Sequence, residues 1–204
     1  MKVLDLCAGT HSLRKALPSS FVVTSVDISD RYHPTIHADI RTWDYKNAFP
    51  VGYFDIIWAS PPCTQYSVAK TIGVRDYAQA DAIVKRCLDI IQYFRPWRWF
   101  VENPGGGARL HTRPFMRSWE RYKHSCCYCR YGYNYRKVTN IWTNRPNTQL
   151  KMCNIKTPCA TFAAYKRHFH TAQCSYTNAG NRGTGKLGNR YSVPPKLIRY
   201  LIVK

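Results

Sequence analysis

Short apolar runs that each stop at a polar turn limit what this chain can fold into. Val3-Leu4-Asp5-Leu6 halts at Ala8-Gly9, and Phe21-Val22-Val23-Thr24-Ser25-Val26 is closed by Asp27. Tyr53-Phe54-Asp55-Ile56-Ile57-Trp58 ends at Ala59-Ser60-Pro61-Pro62, and Trp99-Phe100-Val101 ends at Glu102-Asn103-Pro104. β-Branched and aromatic residues suit a pleated, buried surface, whereas Gly, Pro and Asp interrupt it. Helical patterns fill the gaps between these runs. Leu13 and Leu17 mark a short one. Ala80, Ile83, Val84, Cys87, Ile90, Ile91 and Phe94 mark a long one on a single stripe, which Pro96 stops. Strand alternating with helix predicts an α/β fold with a mostly parallel, doubly wound, Rossmann-like sheet. In such sheets the ligand lies beyond the carboxyl ends of the strands, where these polar turns fall.

Beyond residue 105 the pattern is weaker. His124 to Cys129 and Val138 to Thr143 read as strands, Leu197 to Val203 as a helix or strand after Pro194-Pro195, and Asn178 to Asn189 as a loop. A chain of 204 residues suits one domain spanning 1–204, with a short basic insert at 145–187. No apolar run approaches the ~18–20 residues of a membrane span. Strand-forming residues begin at Val3, so no signal peptide is expected, and the expected location is intracellular, cytoplasmic or nuclear.

Charge is distributed unevenly. Residues 1–120 hold 15 Lys and Arg against 11 acids, and residues 121–204 hold 16 basic residues with no acid. In the second stretch Tyr128, Tyr131, Tyr133 and Tyr135 interleave with Arg130, Arg136 and Lys137. Basic side chains beside flat aromatic faces suit a phosphate backbone with splayed bases, so the expected partner is nucleic acid.

Particular side chains stand at the strand ends. Asp5-Leu6-Cys7-Ala8-Gly9-Thr10 runs from strand into helix through small residues, which lets backbone approach a ligand. Asp27 is placed to accept from both hydroxyls of a ribose. Asp39 is placed to accept from an adenine amino group, although both aspartates also suit simple turn roles. In Ser60-Pro61-Pro62-Cys63 two prolines stiffen the mount of a thiol at the ligand edge, which suits a nucleophile aimed at one ring atom. Glu102 ends the next strand, where a carboxyl can exchange a proton with a bound heterocycle.

Taken in order, these motifs resemble the cytosine carbon-5 methyltransferases of DNA and their RNA-acting relatives, over roughly residues 1–143 and 188–204. The resemblance implies a Rossmann-like class I methyltransferase using S-adenosylmethionine. It implies attack by Cys63 on carbon 6 of cytosine, with Glu102 at ring nitrogen 3 and the exocyclic amine. DNA is the preferred substrate; the same chemistry on RNA and a catalytically weakened nucleic-acid-binding relative are the alternatives. The implied cofactor contacts come first from Asp5, Cys7, Ala8, Gly9, Thr10, Ser12 and Leu13. They continue through Asp27 and Ile28, Asp39 and Ile40, and then Pro61. Asn189 is implied by Gly188-Asn189 and Val193-Pro194-Pro195, which look like the family's terminal motif. Lys137 or its neighbour Arg136 takes the place of an arginine of the family's Gln-x-Arg-x-Arg motif. Cys7 stands where the family has an aromatic residue, and His11 and Ser12 where it has its second glycine pair. About 40 residues replace a sizeable target-recognition domain. A monomer is expected.

Cys126, Cys127, Cys129, Cys153, Cys159, His168, His170 and Cys174 all lie in the basic half. Cys126 and Cys129 form a C-x-x-C pair, but ligand spacing is loose and two standard knuckles are missing. Ordinary buried thiols with no metal are therefore the default reading, and a structural zinc that helps the small insert fold is the alternative.

Overall fold

The computed structural model describes residues 1–67, 70–106, 110–168, 170–171 and 191–203, the backbone alone at 170–171. Its strands are β1 (Lys2–Leu6), β2 (Val22–Asp27), β3 (Ile36–His37), β4 (Ile56–Ala59), β5 (Arg98–Pro104), β6 (Lys123–Cys127), β7 (Tyr135–Arg136), β8 (Val138–Thr143) and β9 (His170–Thr171). Seven of them form one sheet in the order β3-β2-β1-β4-β5-β8-β6, and β7 pairs with β9. β1 to β5 run parallel, while β8 is antiparallel to both β5 and β6. The helices are α1 (Ser12–Ala16), α2 (Tyr45–Ala48), α3 (Tyr77–Phe94), α4 (Ala160–Tyr165) and α5 (Pro195–Ile202). This is the doubly wound α/β sheet that the alternation of runs predicts.

Both faces of the sheet are covered, which is why its strands read as unbroken apolar runs. Side chains alternate between the faces along each strand. Leu4, Leu6, Ile57 and Val101 pack with Val84, Cys87, Ile91 and Phe94 of α3. Val3, Ile56, Trp58 and Phe100 pack with Leu13 and Ala16 of α1 and with Leu197, Ile198 and Leu201 of α5. α3 starts where the Asp76 carboxylate accepts from Gln79 N at 2.9 Å, and it ends at Arg95 in the left-handed region, just before Pro96.

Several boundaries differ from the sequence reading. β4 starts at Ile56 rather than Tyr53. Asp55 accepts from Lys2 N at 2.7 Å, and the Phe54 ring packs edge-on against Phe49 and Phe94. β5 continues through Glu102-Asn103-Pro104 because β8 lies alongside, pairing Glu102 with Ile141 and Asn103 with Asn140. β6 stops at Cys127, where residues Tyr128–Tyr131 tighten into a 3-10 turn. The terminal apolar run is helical. Asn178 to Asn189 and Cys174 lie outside the described residues.

The tyrosine-rich stretch corrects the expectation of a stacking face. Tyr128, Tyr131 and Tyr135 are buried and Tyr133 is half-buried, with its hydroxyl 2.7 Å from Ser192 Oγ. Tyr128, Tyr131 and Tyr133 pack with α5, and Tyr133 also meets the Tyr135 ring at 5.2 Å, so these rings serve packing rather than an exposed stacking face. Among the described residues no helix is long and apolar enough to cross a membrane.

α5 closes one face of the sheet, and Leu197 is fully buried within it. Leu197→Ala should lower unfolding free energy by about 2–5 kcal/mol, the usual cost of such a cavity. Urea denaturation checks this, and an unchanged midpoint would mean that α5 is not part of the cooperative core.

Candidate active site

A cleft of about 390 Å³ opens at the carboxyl ends of β1, β2, β4 and β5. The turn after β1 forms one wall. Cys7, Gly9 and His11 all have positive φ, a tight conformation that only Gly adopts at no cost, so this turn is held by its surroundings. Gly9 N donates to Asp27 Oδ2 at 2.8 Å, and Ser29 N donates to Asp27 Oδ1 at 2.8 Å. Lys15 Nζ donates to Thr10 O at 2.6 Å. Ser12 Oγ accepts from Val193 N at 3.0 Å, so the segment leading into α5 returns to the first turn. Arg199 Nε reinforces that return by donating to Ala16 O at 2.8 Å.

The opposite wall is Ser60-Pro61-Pro62-Cys63. Ser60 N donates to Leu6 O at 3.0 Å, and Trp58 Nε1 donates to Ser60 Oγ at 2.9 Å. Asn103 Nδ2 donates to Pro61 O at 3.0 Å, so β5 holds the proline turn directly. Cys63 O accepts from Ser67 N at 2.8 Å and from Tyr66 N at 3.0 Å, a tight turn that presents the thiol to the cleft. Tyr66 is anchored by donating to Asp81 Oδ1 at 2.8 Å, and Arg113 engages both oxygens of Asp81. Arg75 then clamps the chain after Cys63, donating to the carbonyls of Gln65, Ser67 and Lys70 at 2.6–2.9 Å.

Glu102 lies on the cleft floor and is only 6% exposed. A buried carboxylate is costly unless hydrogen-bonded and paired. Tyr128 donates to Glu102 Oε1 at 2.8 Å, and Lys137 Nζ lies 3.7 Å from the same oxygen. Lys137 also sits over the Tyr128 ring, 4.7 Å from its centroid. Burial raises the Cys63 thiol above its ordinary range, Lys137 lowers it, and Glu102 raises it. Asp5 is 2% exposed, and burial plus the Asp27 charge push its carboxyl up to about 8.

Of the residues the sequence reading selects, the cleft brings together Asp5, Cys7, Ala8, Gly9, Ser12 and Leu13 with Asp27, Pro61, Cys63, Glu102 and Lys137. Others lie elsewhere. Thr10 turns inward, its Oγ1 3.3 Å from Ser12 Oγ, and Ile28 points to solvent. Asp39 is taken by Arg41, whose Nε donates to both oxygens at 3.0 Å and lowers the carboxyl's pKa. Ile40 is buried against the α3 side of the sheet. Arg136 is exposed and hydrogen-bonds toward Cys127, which leaves Lys137 as the cation beside Glu102. Asn189 lies outside the described residues. Cys7 lines the cleft, but its thiol hydrogen-bonds with Cys87 of α3, and that bond with burial raises it well above its ordinary pKa.

Sequence reasoning did not assign Tyr128 or Tyr191 to the cleft wall or to its supports. The Tyr191–Val193 stretch was foreshadowed by the proline motif that follows it. Tyr128 carried no local signal, because its role depends on β6 folding back beside β8. The C-x-x-C pair is split. Cys126 packs into the core beside α5, whereas Cys129 meets Cys153, Cys159 and His168.

No family model matches the sequence. The chain is 30% identical, over 99% of its own length and 99% of the relative's, to a probable DNA (cytosine-5)-methyltransferase of Frog virus 3 (isolate Goorha). A solved structure of a candidate DNA modification methyltransferase encoded within an E. coli prophage aligns with a TM-score of 0.49 at 15% identity. That alignment covers 70% of this chain and 46% of the other.

Asp5 makes stability depend on pH. An unfolded aspartic acid releases its proton near 3.8, whereas folded Asp5 keeps it to about 8. Through that interval the native chain binds a proton that the unfolded chain has lost, so rising pH works against folding. The melting temperature of cofactor-free wild type should therefore fall more than that of Asp5→Asn as pH rises from about 5 to about 8. Parallel profiles would show that Asp5 ionises normally.

Proposed function

The chain belongs to the DNA (cytosine-5)-methyltransferase family, and from that premise we propose that it transfers a methyl group from S-adenosylmethionine to carbon 5 of cytosine in DNA through a covalent adduct on Cys63. The observation that carries this reading is the meeting, in one cleft, of a thiol on a Pro-Pro turn with a buried carboxyl held by Tyr128 and Lys137. The full length serves as one methyltransferase domain, with the basic 145–187 segment in the place of a recognition domain.

The cleft's first wall fits the cofactor. Each Asp27 oxygen accepts one backbone N–H, and an ionised carboxylate offers about four lone-pair sites, so two remain for ribose hydroxyls. Among the described residues, Asp5 Oδ2 is buried with no hydrogen-bond partner, which a donor or cation of a bound molecule would satisfy. Asp5, Gly9, Ser12 and Asp27 would hold the group, which supplies an electrophilic methyl.

On the other wall Cys63 performs the covalent step. Its sulfur forms a bond to carbon 6 while the thiol proton passes by way of water and the Glu102 carboxylate to ring nitrogen 3, and the carbon 5–carbon 6 electron pair shifts through the ring toward that nitrogen. Carbon 5 is then nucleophilic enough to accept the methyl. Nitrogen 3 then returns its proton to Glu102, water takes the carbon-5 proton, and that carbon–hydrogen pair re-forms the carbon 5–carbon 6 double bond as Cys63 leaves as a thiolate. Tyr128 and Lys137 fix the position of Glu102, so that its carboxyl meets ring nitrogen 3 without searching. A target cytosine within a duplex must leave the stack to reach this floor.

Incubation with methyl-labelled cofactor, followed by digestion of the polymer to nucleosides, tests the reading. The label should appear in 5-methylcytosine from DNA and should vanish in Cys63→Ala. Tyr128→Phe removes one hydrogen bond to a charged acceptor, worth ~1.5–3 kcal/mol, and should slow transfer about 10- to 100-fold. Label on an exocyclic amine would contradict the proposed chemistry, and label on RNA alone the proposed substrate.

A further inference from the structure

Outside the cleft lining, Cys129, Cys153, Cys159 and His168 bring their four ligand atoms within 4.8 Å of one another. They come from separate places: the turn after β6, the stretch before α4, the cap of α4 and the chain beyond it. We propose that these side chains bind one zinc ion in a closed structural site that staples the segment around α4 to the end of β6.

Two edges to the imidazole already match a tetrahedral site. Zinc bound to sulfur at ~2.3 Å and to imidazole nitrogen at ~2.0–2.1 Å in a tetrahedron sets sulfur–nitrogen edges near ~3.6 Å. His168 Nε2 lies 3.5 Å from Cys153 Sγ and 3.3 Å from Cys159 Sγ. All three cysteines are buried, and none is in a disulfide. Backbone donors point at the sulfurs as they do toward thiolates that carry charge. Cys159 N donates to Cys153 Sγ at 3.3 Å, and Phe162 N donates to Cys159 Sγ at 3.4 Å. The Phe162 ring lies against the His168 imidazole with centroids 5.3 Å apart, which fixes its orientation.

Among the described residues, the segment has little else to hold it folded. Its local core consists of four cysteines with Val138, Met152 and Phe162 at its edge. None of the residues of α4 is buried. So little apolar surface does not offset the ordering of some twenty residues, whereas a four-ligand metal does. Three thiolates and one imidazole select zinc over magnesium or calcium, which prefer oxygen. Cys129 follows Tyr128 directly, so the same ion would steady the turn from which Tyr128 reaches Glu102.

The test is metal content of full-length protein purified under reducing conditions, read by plasma mass spectrometry. We expect one zinc per chain, released when a mercurial titrates the thiols. Cobalt(II) in its place should give the intense visible bands of tetrahedral thiolate coordination. Cys159→Ser and His168→Ala should each lose the metal or alter those bands, and His33→Ala, which is exposed elsewhere, should not. If the ligand variants fail to fold, the wild type decides: chelated, reduced protein should recover the tetrahedral cobalt spectrum on titration. No stoichiometric metal after reconstitution, an octahedral spectrum, iron in place of zinc, or a Cys153–Cys159 disulfide in peptide maps would overturn the proposal. These readouts do not depend on methyl transfer, so they stand or fall separately from the catalytic reading.

Discussion

A buried carboxylate at the seam of the sheet governs much of this molecule. β5 runs parallel to β4 on one side and antiparallel to β8 on the other, and Glu102 lies where those two regimes meet. Leaving it there without partners would cost several kcal/mol. Tyr128 comes from the end of β6 and Lys137 from the residue before β8, so both antiparallel strands are needed to satisfy one oxygen. Tyr128 N also donates to Lys137 O at 3.0 Å, which joins the two partners through backbone. The next residue on β5, Asn103, holds Pro61. One strand therefore positions both halves of the proposed base site, the carboxyl directly and the thiol through its proline turn.

The cofactor side follows a different rule. Its turn contains three positive-φ residues, of which only Gly9 is a glycine, so the backbone is kept in place from outside. Asp27 grips Gly9, the segment before α5 donates to Ser12, and Lys15 caps Thr10. The last helix thus stabilises the first turn through about 180 residues of intervening chain. Such closure explains why Leu197, distant from any chemistry, is fully buried against α1.

Much of this was legible in the sequence, for identifiable reasons. β1, β2 and α3 announce themselves because their apolar periodicity is strong and their ends are marked by Gly, Asp or Pro. Cys63 and Glu102 were legible because strand-end position narrows what a thiol or carboxyl can do. Asp39 pairs with Arg41, two residues away, and composition does not show which partner wins. The tyrosines misled for a related reason. Basic residues beside aromatics suggest a stacking surface, but Tyr128, Tyr131 and Tyr135 turn inward once β6 and β8 pair. A zinc site stayed the lesser reading because the spacing follows no knuckle pattern, and only folding shows which four residues, Cys129, Cys153, Cys159 and His168, come together.

The central claim is that Cys63 bonds to the target ring while the methyl is transferred, and the bond itself can be observed. With 5-fluorocytosine in the DNA, the carbon-5 fluorine cannot leave as a proton does, so the adduct cannot resolve. A denaturing gel should show a cofactor-dependent protein–DNA band that maps to the Cys63 peptide and is missing from Cys63→Ala. Methyl transfer to unmodified DNA with no trapped band on the fluorinated polymer would contradict the covalent account.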